Sequence, residues 1–184
     1  MEISYRIIRS NRKTLGLEIN EKGLTIRAPR RATNTEIREF VLKNEKWILK
    51  NLKKYDIKKE EYADIPKLTD EQIKELAKKA MEYIPKRVEY YAPLIGVSYG
   101  RITIRNQKTR WGSCSSKGNL NFNCLLMLTP SEVVDSIVVH ELCHRKEMNH
   151  SKRFYEEILK VFPDYYKWDK WLKENGNKIM YRMK

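Results

Sequence analysis

The segment VVHELCHRKEMNH spans residues 138–150 and contains all three histidines of this 184-residue chain. His140 and His144 are four residues apart, which on an α-helix is about one turn along and about 40° around the axis. Their imidazoles therefore project side by side and can bind a single zinc ion. Glu141 lies on the adjoining face, from which its carboxylate can reach a water molecule on that ion without binding the ion itself.

A catalytic zinc site has three protein ligands and an open fourth position. His150 is our candidate for the third ligand, because the helical pattern breaks a few residues after His144 and the chain can turn back there. Asn149 suits that turn, since asparagine tolerates the left-handed backbone conformation. Glu156 and Glu157 are fallback ligands, although a solvated helix face is the simpler interpretation of both.

These residues predict hydrolytic chemistry. Zinc lowers the pKa of a bound water toward ~7, and Glu141 would accept its proton as general base and later protonate the leaving amine. A single histidine on a helix face is more often structural than a ligand, but three at this spacing around a glutamate favour a metal site. Cys143 lies inside the motif and faces away from the histidine pair, so we expect it to pack in the core.

The composition is that of a folded domain. Hydrophobic residues make up 41% and charged residues 34%, with only 7 Gly and 6 Pro, which argues against a disordered or fibrous chain. No apolar run approaches ~18 residues and the first residues lack an apolar signal core, so we expect a cytoplasmic protein without a membrane segment. The three cysteines form no C-x-x-C pair, which fits reduced thiols better than a disulfide scaffold or a four-cysteine zinc site.

The formal net charge is +14, from 38 Lys and Arg against 24 Asp and Glu. A basic protein can bind nucleic acid through the phosphate backbone, but here the positive residues are spread along the chain and interleaved with acids. We therefore favour a solvated ionic surface, of the kind found in ion-pair-rich proteins from hot environments, over a nucleic-acid partner.

Hydrophobic periodicity predicts an α+β fold. Residues 3–29 alternate as three short strands, with residues 21–23 as a hairpin turn, which indicates a small antiparallel sheet. A capped amphipathic helix follows over about 35–54. A second helix runs from Thr69 or Asp70 to Gly96, with Pro85 as a potential kink.

The second half of the chain predicts a hairpin followed by helices. A strand follows Gly100, and residues 119–128 alternate as another, with residues 115–118 as the turn before it. Residues 129–132 begin the helix that carries the histidines, and two further helices follow. We accordingly divide the chain at residue 95. The first part (1–95) has a small antiparallel sheet and two helices, and it packs on the catalytic region (96–184) to give one compact unit.

Two stretches together resemble a known family: RWGSCSSKGNLNFN at 110–123 and HELCHRKEMNHSKRFY at 140–155. They resemble the YgjP-like metallopeptidases, relatives of the WLM and SprT-like zincins. The likeness is strongest over about 95–170. It implies a minimal zincin fold, in which a twisted, mostly antiparallel sheet packs on the active-site helix. It also implies zinc held by the three histidines, with Glu141 as general base.

The histidine spacing also equals the metzincin pattern H-E-x-x-H-x-x-G-x-x-H. Glu147 occupies the glycine position of that pattern, and neither Met180 nor Met183 forms a clear Met-turn. The minimal zincin is therefore the better match.

The resemblance also suggests a substrate-binding role for Arg110, Trp111, Gly112 and Ser113. In zincins an edge strand above the cleft pairs with extended peptide, and Gly112 would let a second backbone approach closely. The alternative, equally open, is that Trp111 anchors the core and Gly112 marks a bulge. Arg110 suits a substrate carboxylate or phosphate.

The sequence thus predicts a zinc metallopeptidase acting on peptides or proteins. Two other enzymatic interpretations keep the metal: hydrolysis of a phosphate-bearing substrate such as a nucleotide, and SprT-like proteolysis near DNA. A non-enzymatic interpretation is a nucleic-acid-binding module with structural zinc. That module needs a closed four-ligand site, for which the sequence offers three histidines and no paired cysteines.

Overall fold

A computed structural model describes residues 3–20 and 22–183 of the chain. Three strands, three helices, three further strands and then a second group of helices follow one another along these residues, which confirms the α+β class. The chain forms two compact units that meet in sequence between Asp64 and Ile65. No helix in the described ranges is long and apolar enough to cross a membrane.

The first unit contains a three-stranded sheet of β1 (Arg6–Ser10), β2 (Gly16–Asn20) and β3 (Gly23–Pro29), in the order β1-β3-β2. β2 and β3 form the expected antiparallel pair, but β1 lies parallel to β3. The prediction of an antiparallel sheet was therefore wrong for one of its two pairs, because alternation with period two specifies the face of a residue and not the direction of a partner strand. Glu21, in the predicted turn, lies outside the described residues.

Two helices complete the first unit, α1 (Asn34–Lys43) and α2 (Glu45–Glu61), where the sequence predicted one. They are separated at Asn44, whose side-chain amide donates to the carbonyl of Phe40 at 2.7 Å. Asparagine side chains compete with the backbone for hydrogen bonds in this way. The amphipathic pattern continues through Asn44, so hydrophobic periodicity alone does not reveal the break. The helices cover a core of Leu24, Ile26, Ala28, Ile37, Val41 and Ile48.

The second unit contains the sheet that lies beside the histidine helix. Its strands are β4 (Ile102–Arg105), β5 (Gly112–Cys114) and β6 (Leu120–Asn123), in the order β4-β6-β5. β4 pairs with β6 in parallel and β5 pairs with β6 antiparallel. The sheet is therefore mixed rather than mostly antiparallel, because the connection from β4 to β5 crosses to the far side of β6.

The predicted strand over 119–128 is cut short. β6 ends at Asn123, and Cys124–Leu128 form a 3-10 helix. The side-chain oxygen of Asn123 accepts a hydrogen bond from the backbone N–H of Leu125 at 3.1 Å, which caps this turn. Leu125 and Leu126 are both fully buried. A strand would have placed these two neighbours on opposite faces.

α3 (Asp70–Ile95) is the long helix of the second unit. A capping box between Thr69 and Gln72 begins it, and Gly96, with φ +76°, ends it in the left-handed conformation. The sequence-based division at residue 95 grouped this helix with the N-terminal sheet. In the structure its apolar face packs in the core of the second unit, through Leu76, Ala80, Ile84, Val88, Tyr91, Ala92 and Ile95.

The histidine helix α4 (Ser131–Cys143) lies at the centre of the second unit and contacts α3, β5, α5 (Lys152–Val161) and α6 (Tyr165–Tyr181). Its hydrophobic residues are buried on nearly every face of the helix. Asp135 on α4 accepts two hydrogen bonds from Arg87 of α3, at 2.6 and 2.8 Å. Apolar packing and this ion pair fix the helix that carries the site.

Candidate metal centre

The structure brings the three histidines together. One ring nitrogen from each of His140, His144 and His150 lies within 4.8 Å of the others, and the Nε2 atoms of His140 and His150 are 3.0 Å apart. Across residues 3–20 and 22–183 this is the one group of three or more side chains placed to hold a metal ion. His140 belongs to α4, His144 caps its end, and His150 follows the turn that leads to α5.

The turn between His144 and His150 needs no left-handed residue. Every described residue with positive φ is a glycine, so Asn149 does not take the left-handed conformation that the sequence suggested. Instead the helix tightens at its end, with the N–H of Arg145 bonded to the carbonyl of Leu142 at 2.9 Å, a 3-10 spacing common at helix termini. Glu147, which stands at the glycine position of the metzincin pattern, does not have positive φ either.

Two of the three rings are held through Nδ1. His140 Nδ1 lies 2.9 Å from the hydroxyl of Tyr165, and His144 Nδ1 lies 3.1 Å from the backbone carbonyl of Glu147. A carbonyl only accepts, so Nδ1 of His144 must carry the hydrogen and Nε2 the lone pair. His144 therefore offers Nε2 as its ligand atom.

The ring of Phe154 contacts all three imidazoles. Its ring centroid lies 4.9 Å from that of His140, 4.6 Å from that of His144 and 4.8 Å from that of His150, and the side chain is fully buried. The sequence predicted a helix in this part of the chain but no contact between Phe154 and the histidines. The one sequence feature that could have pointed to Phe154 is its position in the first turn of the helix after His150. Its contacts with His140 and His144 depend on how α5 packs against α4, which no local sequence pattern predicts.

Burial favours the neutral form of His140 and His144. It lowers the pKa of His140 to about 3, with further lowering from His144 and His150, and burial also lowers the pKa of His144. Metal ions bind the neutral imidazole. Three ring nitrogens gathered within 4.8 Å of one another form a donor set that a metal ion can bind. Imidazole donors suit zinc and other transition metals and not magnesium or calcium.

Glu141 follows His140 on α4 and is buried, with 5% of its surface exposed. Burial raises its pKa to about 8, against an opposing effect of the Arg110 charge. In a metal-free protein the carboxyl is therefore protonated at neutral pH. A bound cation would lower this pKa, because an opposite charge nearby favours the ionised form.

Gly112 on β5 lies directly against Glu141. A Cβ at position 112 would be 2.6 Å from Oε1 of Glu141 and 2.8 Å from its Cγ, distances at which something must shift. Gly112 is regularly paired with Phe122 and is not a bulge. Gly112 was expected to let a second backbone approach closely, and in the structure the space of its missing Cβ is taken by the Glu141 side chain.

The other predicted substrate-binding residues lie around this strand. Trp111 is half-buried and packs on Gly176 of α6. It also lines a cavity of about 460 Å³ together with His140 and Tyr165. Arg110 is exposed, and its charge acts on Glu141 as described above. Ser113 accepts a hydrogen bond from the side chain of Asn121 at 3.3 Å.

Asn123 tethers the loop that leads into β5. Its amide nitrogen donates to the carbonyls of Gln107 at 2.7 Å and Arg110 at 2.8 Å. The side chain is fully buried, whereas the alternation predicted over 119–128 puts polar residues on the face away from the core. Through these bonds the end of β6 fixes the approach to Trp111.

Arg145 ties the predicted turn over 115–118 to the end of α4. Its guanidinium donates to the carbonyls of Ser98 at 3.1 Å and Ser116 at 3.0 Å. Gly118 has φ +78°, and a Cβ there would lie 2.9 Å from Nε of Arg145. The residue after His144 therefore holds the β5–β6 hairpin against the histidine helix.

The fallback ligands lie outside the histidine group. Glu157 pairs with Lys146 at 2.6 Å and with Lys160, and Glu156 pairs with Lys152 at 3.6 Å. Both glutamates are thus engaged in ion pairs. Cys143 is fully buried, as its orientation on the helix indicated, and burial raises the pKa of its thiol to about 12.

Imidazole ligands gathered beside a buried carboxylate are typical of metal-dependent hydrolases. The family model described as YgjP-like, metallopeptidase domain, matches residues 13–74 and 58–175, which together span most of the chain. The chain therefore belongs to the YgjP-like metallopeptidase family, and the resemblance seen in the sequence is confirmed. Membership makes it a metal-dependent peptidase, with peptides or proteins as substrates.

Two crystal structures are similar to part of the chain. The metallopeptidase zymogen abylysin of Pyrococcus abyssi is 26% identical, with a TM-score of 0.45, over 50% of this chain and 93% of that one. The metallopeptidase zymogen jannalysin of Methanocaldococcus jannaschii is 21% identical, with a TM-score of 0.45, over 50% of this chain and 95% of that one. No curated protein matches the chain.

Proposed function

We propose that the protein is a zinc-dependent metallopeptidase in which His140, His144 and His150 hold the ion and Glu141 is the general base. The observation that carries this proposal is the convergence of one ring nitrogen from each histidine within 4.8 Å. Three imidazoles leave the fourth position of a tetrahedral ion for water or substrate. Zinc bound there would supply a Lewis acid, which polarises the scissile carbonyl and makes water acidic.

The position of Glu141 supports its role as base. Glu141 follows His140 directly on α4, its carboxyl lies against Gly112 of β5, and it is outside the set of nitrogens that would bind the ion. The carboxylate would accept a proton from the attacking water at one oxygen and deliver a proton to the leaving amine. Its burial keeps bulk water from competing for that proton, and a raised pKa suits a group that both takes and gives a proton near neutral pH.

Substrate binding is proposed along β5. This strand is an edge of the second sheet and contacts α4, so an extended peptide could add to Gly112–Cys114 by main-chain hydrogen bonds. Trp111, at the wall of the 460 Å³ cavity beside His140, would contact a substrate side chain. Arg110 would meet a negatively charged group of the peptide, since its guanidinium is exposed.

The decisive experiment compares the wild-type protein with Glu141→Gln. We expect about one zinc per chain in both, measured by metal analysis. We expect peptide hydrolysis to fall by about 10²–10⁴-fold in the variant, because the amide cannot accept the proton. Retained turnover with full zinc content would remove Glu141 from its assigned role.

The same assay separates the other hydrolytic substrates. Nucleotides and DNA are incubated in parallel with a mixed peptide library, using zinc-loaded protein. Hydrolysis of a phosphate ester that disappears in Glu141→Gln would reassign the substrate. The three free cysteines support a reducing compartment such as the cytoplasm as the place of action.

A further inference from the structure

Tyr165, the first residue of α6, lies behind His140. Its hydroxyl oxygen is 2.9 Å from His140 Nδ1, and the two rings are nearly parallel, with an interplanar angle of 20° and centroids 6.2 Å apart. Only 4% of the Tyr165 surface is exposed. Bulk water therefore competes little for this hydrogen bond.

We propose that Tyr165 is a positioning residue, whose hydroxyl accepts a hydrogen bond from Nδ1–H of His140 and so directs Nε2 toward the metal. This inference rests on the proposed ligand role of His140. A neutral imidazole carries one hydrogen, so a ring that donates from Nδ1 has its lone pair on Nε2. An outer partner on Nδ1 also fixes the ring orientation and raises the basicity of the ligating nitrogen.

The arrangement around His140 matches this tautomer. Its Nε2 lies 3.0 Å from Nε2 of His150 and therefore points into the histidine group. Its Nδ1 points out of the group, toward Tyr165. The other tautomer would place a hydrogen on Nε2, where the ion needs a lone pair.

Tyr165 differs from the outer partner of His144. That partner is the backbone carbonyl of Glu147, which any residue at that position would supply. The partner of His140 is a side chain from a different helix, so one substitution removes it. Tyr165 thus makes the metal site depend on the position of α6 as well as on α4.

The test is the zinc affinity of Tyr165→Phe, which keeps the ring and removes the hydroxyl. We expect the zinc dissociation constant to rise about 10-fold or more, as for other outer partners of metal-bound histidines, measured by competition with a chelator on the full chain. Tyr166→Phe is the matched control. Tyr166 is the next residue of α6, is 54% exposed, and contacts the rings of Tyr155 and Tyr165, so its variant should stay within about twofold of wild type.

A second measurement needs no variant. Long-range ¹H–¹⁵N spectra of zinc-loaded wild-type protein with ¹⁵N-labelled histidine report which ring nitrogen carries the hydrogen. We expect His140 to carry it on Nδ1. This spectrum tests the tautomer of His140 even if Tyr165→Phe does not fold. Circular dichroism of the metal-free variant shows whether it is folded.

The outcomes separate the two proposals. An unchanged zinc affinity in folded Tyr165→Phe overturns the role of Tyr165 and leaves the zinc site intact. A hydrogen on Nε2 of His140 in the zinc-loaded protein overturns the role of Tyr165 and also removes that nitrogen from the proposed ligand set. A wild-type protein that binds no zinc overturns both. Weakened binding in Tyr165→Phe beside unchanged binding in Tyr166→Phe supports the role, because a merely structural change in α6 would not move the affinity without moving stability.

Discussion

Glycine at position 112 leaves the space that the Glu141 side chain occupies beside β5. The carboxylate would do its chemistry only if it stays next to the histidine group, and the strand that passes over it has no Cβ to displace it. Position 112 therefore sets the geometry of the base, in addition to any contact that β5 makes with a peptide.

We predict that Gly112→Ala lowers kcat/KM for peptide hydrolysis by about 100-fold. The added Cβ would lie 2.6 Å from Oε1 of Glu141, and displacing a reacting group by about 1 Å costs activity on this scale. Zinc content should stay at about one per chain, since no histidine is touched. Steady-state kinetics and metal analysis on the same sample check both statements.

The control for this substitution is Gly16→Ala in the first unit. Gly16 also begins a strand, and its added Cβ would meet the guanidinium of Arg12 at 2.8 Å, the far end of a flexible side chain. Its kcat/KM should match wild type. Wild-type kinetics in Gly112→Ala as well would show that Glu141 has room to move without losing its function.

At the same scale, the grouping of the histidines was predictable from sequence, whereas the residues that support their rings were not. The i, i+4 spacing of His140 and His144 is local, so one turn of helix brings the rings together. Phe154 and Tyr165 reach the histidines from two other helices, and the position of those helices depends on the packing of the whole unit. Periodicity marks both residues as apolar and carries no information on which ring they contact.

At the scale of elements, β6 and its last residue fix the loop in front of the site. The chain leaves β4 at Arg105, crosses over and returns as β5. Two hydrogen bonds from the side-chain amide of Asn123 hold the connecting loop at residues 107 and 110. Alternation correctly located the strands at 102–105 and 120–123. It missed the parallel pairing and the 3-10 helix, because both depend on hydrogen-bond partners that lie far away or on the Asn123 cap.

We predict that Asn123→Ala lowers the free energy of unfolding by about 2–4 kcal/mol, because a fully buried side chain is lost and three backbone groups lose their partner. It should also lower kcat/KM, since the loop that leads to Trp111 is freed. Urea unfolding and steady-state kinetics measure the two effects.

Asn121→Ala is the matched control for this element. Asn121 belongs to the same strand, is half-buried and makes one side-chain bond, to Ser113 at 3.3 Å. Its removal should cost no more than about 1 kcal/mol. Equal losses of stability in the two variants would contradict the tethering role of Asn123.

At the scale of the whole molecule, two cores form in one chain, and every residue proposed for chemistry belongs to the unit that begins at Ile65. The sequence predicted the class of fold, and it predicted that the three histidines come together. It did not predict the boundary, because α3 follows the N-terminal helices in sequence and has the same amphipathic pattern. Only its packing partners, Val134 and Val138 of α4 among them, assign it to the second unit.

Embedding the site in this core has a consequence for stability. We predict that the second unit of the metal-free protein loses about 1–2 kcal/mol of unfolding free energy between pH 6.5 and 8. The pKa of Glu141 is raised to about 8 in the fold from an ordinary value of 4.5, so over this range the folded state binds a proton that the unfolded chain has released, and stability falls as pH rises. The lowered pKa of His140, about 3, acts below pH 6.5, where it makes stability rise with pH.

Urea unfolding at several pH values, followed by tryptophan fluorescence in a Trp47→Phe background, reports on the second unit, because the other three tryptophans all lie in it. In Glu141→Gln the decrease above pH 6.5 should disappear, since the titrating group is gone. Zinc should also abolish it, because the cation favours the ionised carboxylate that the unfolded chain already holds. A decrease of the same size in Glu141→Gln would mean that another group titrates, and that Glu141 is not held protonated by the fold.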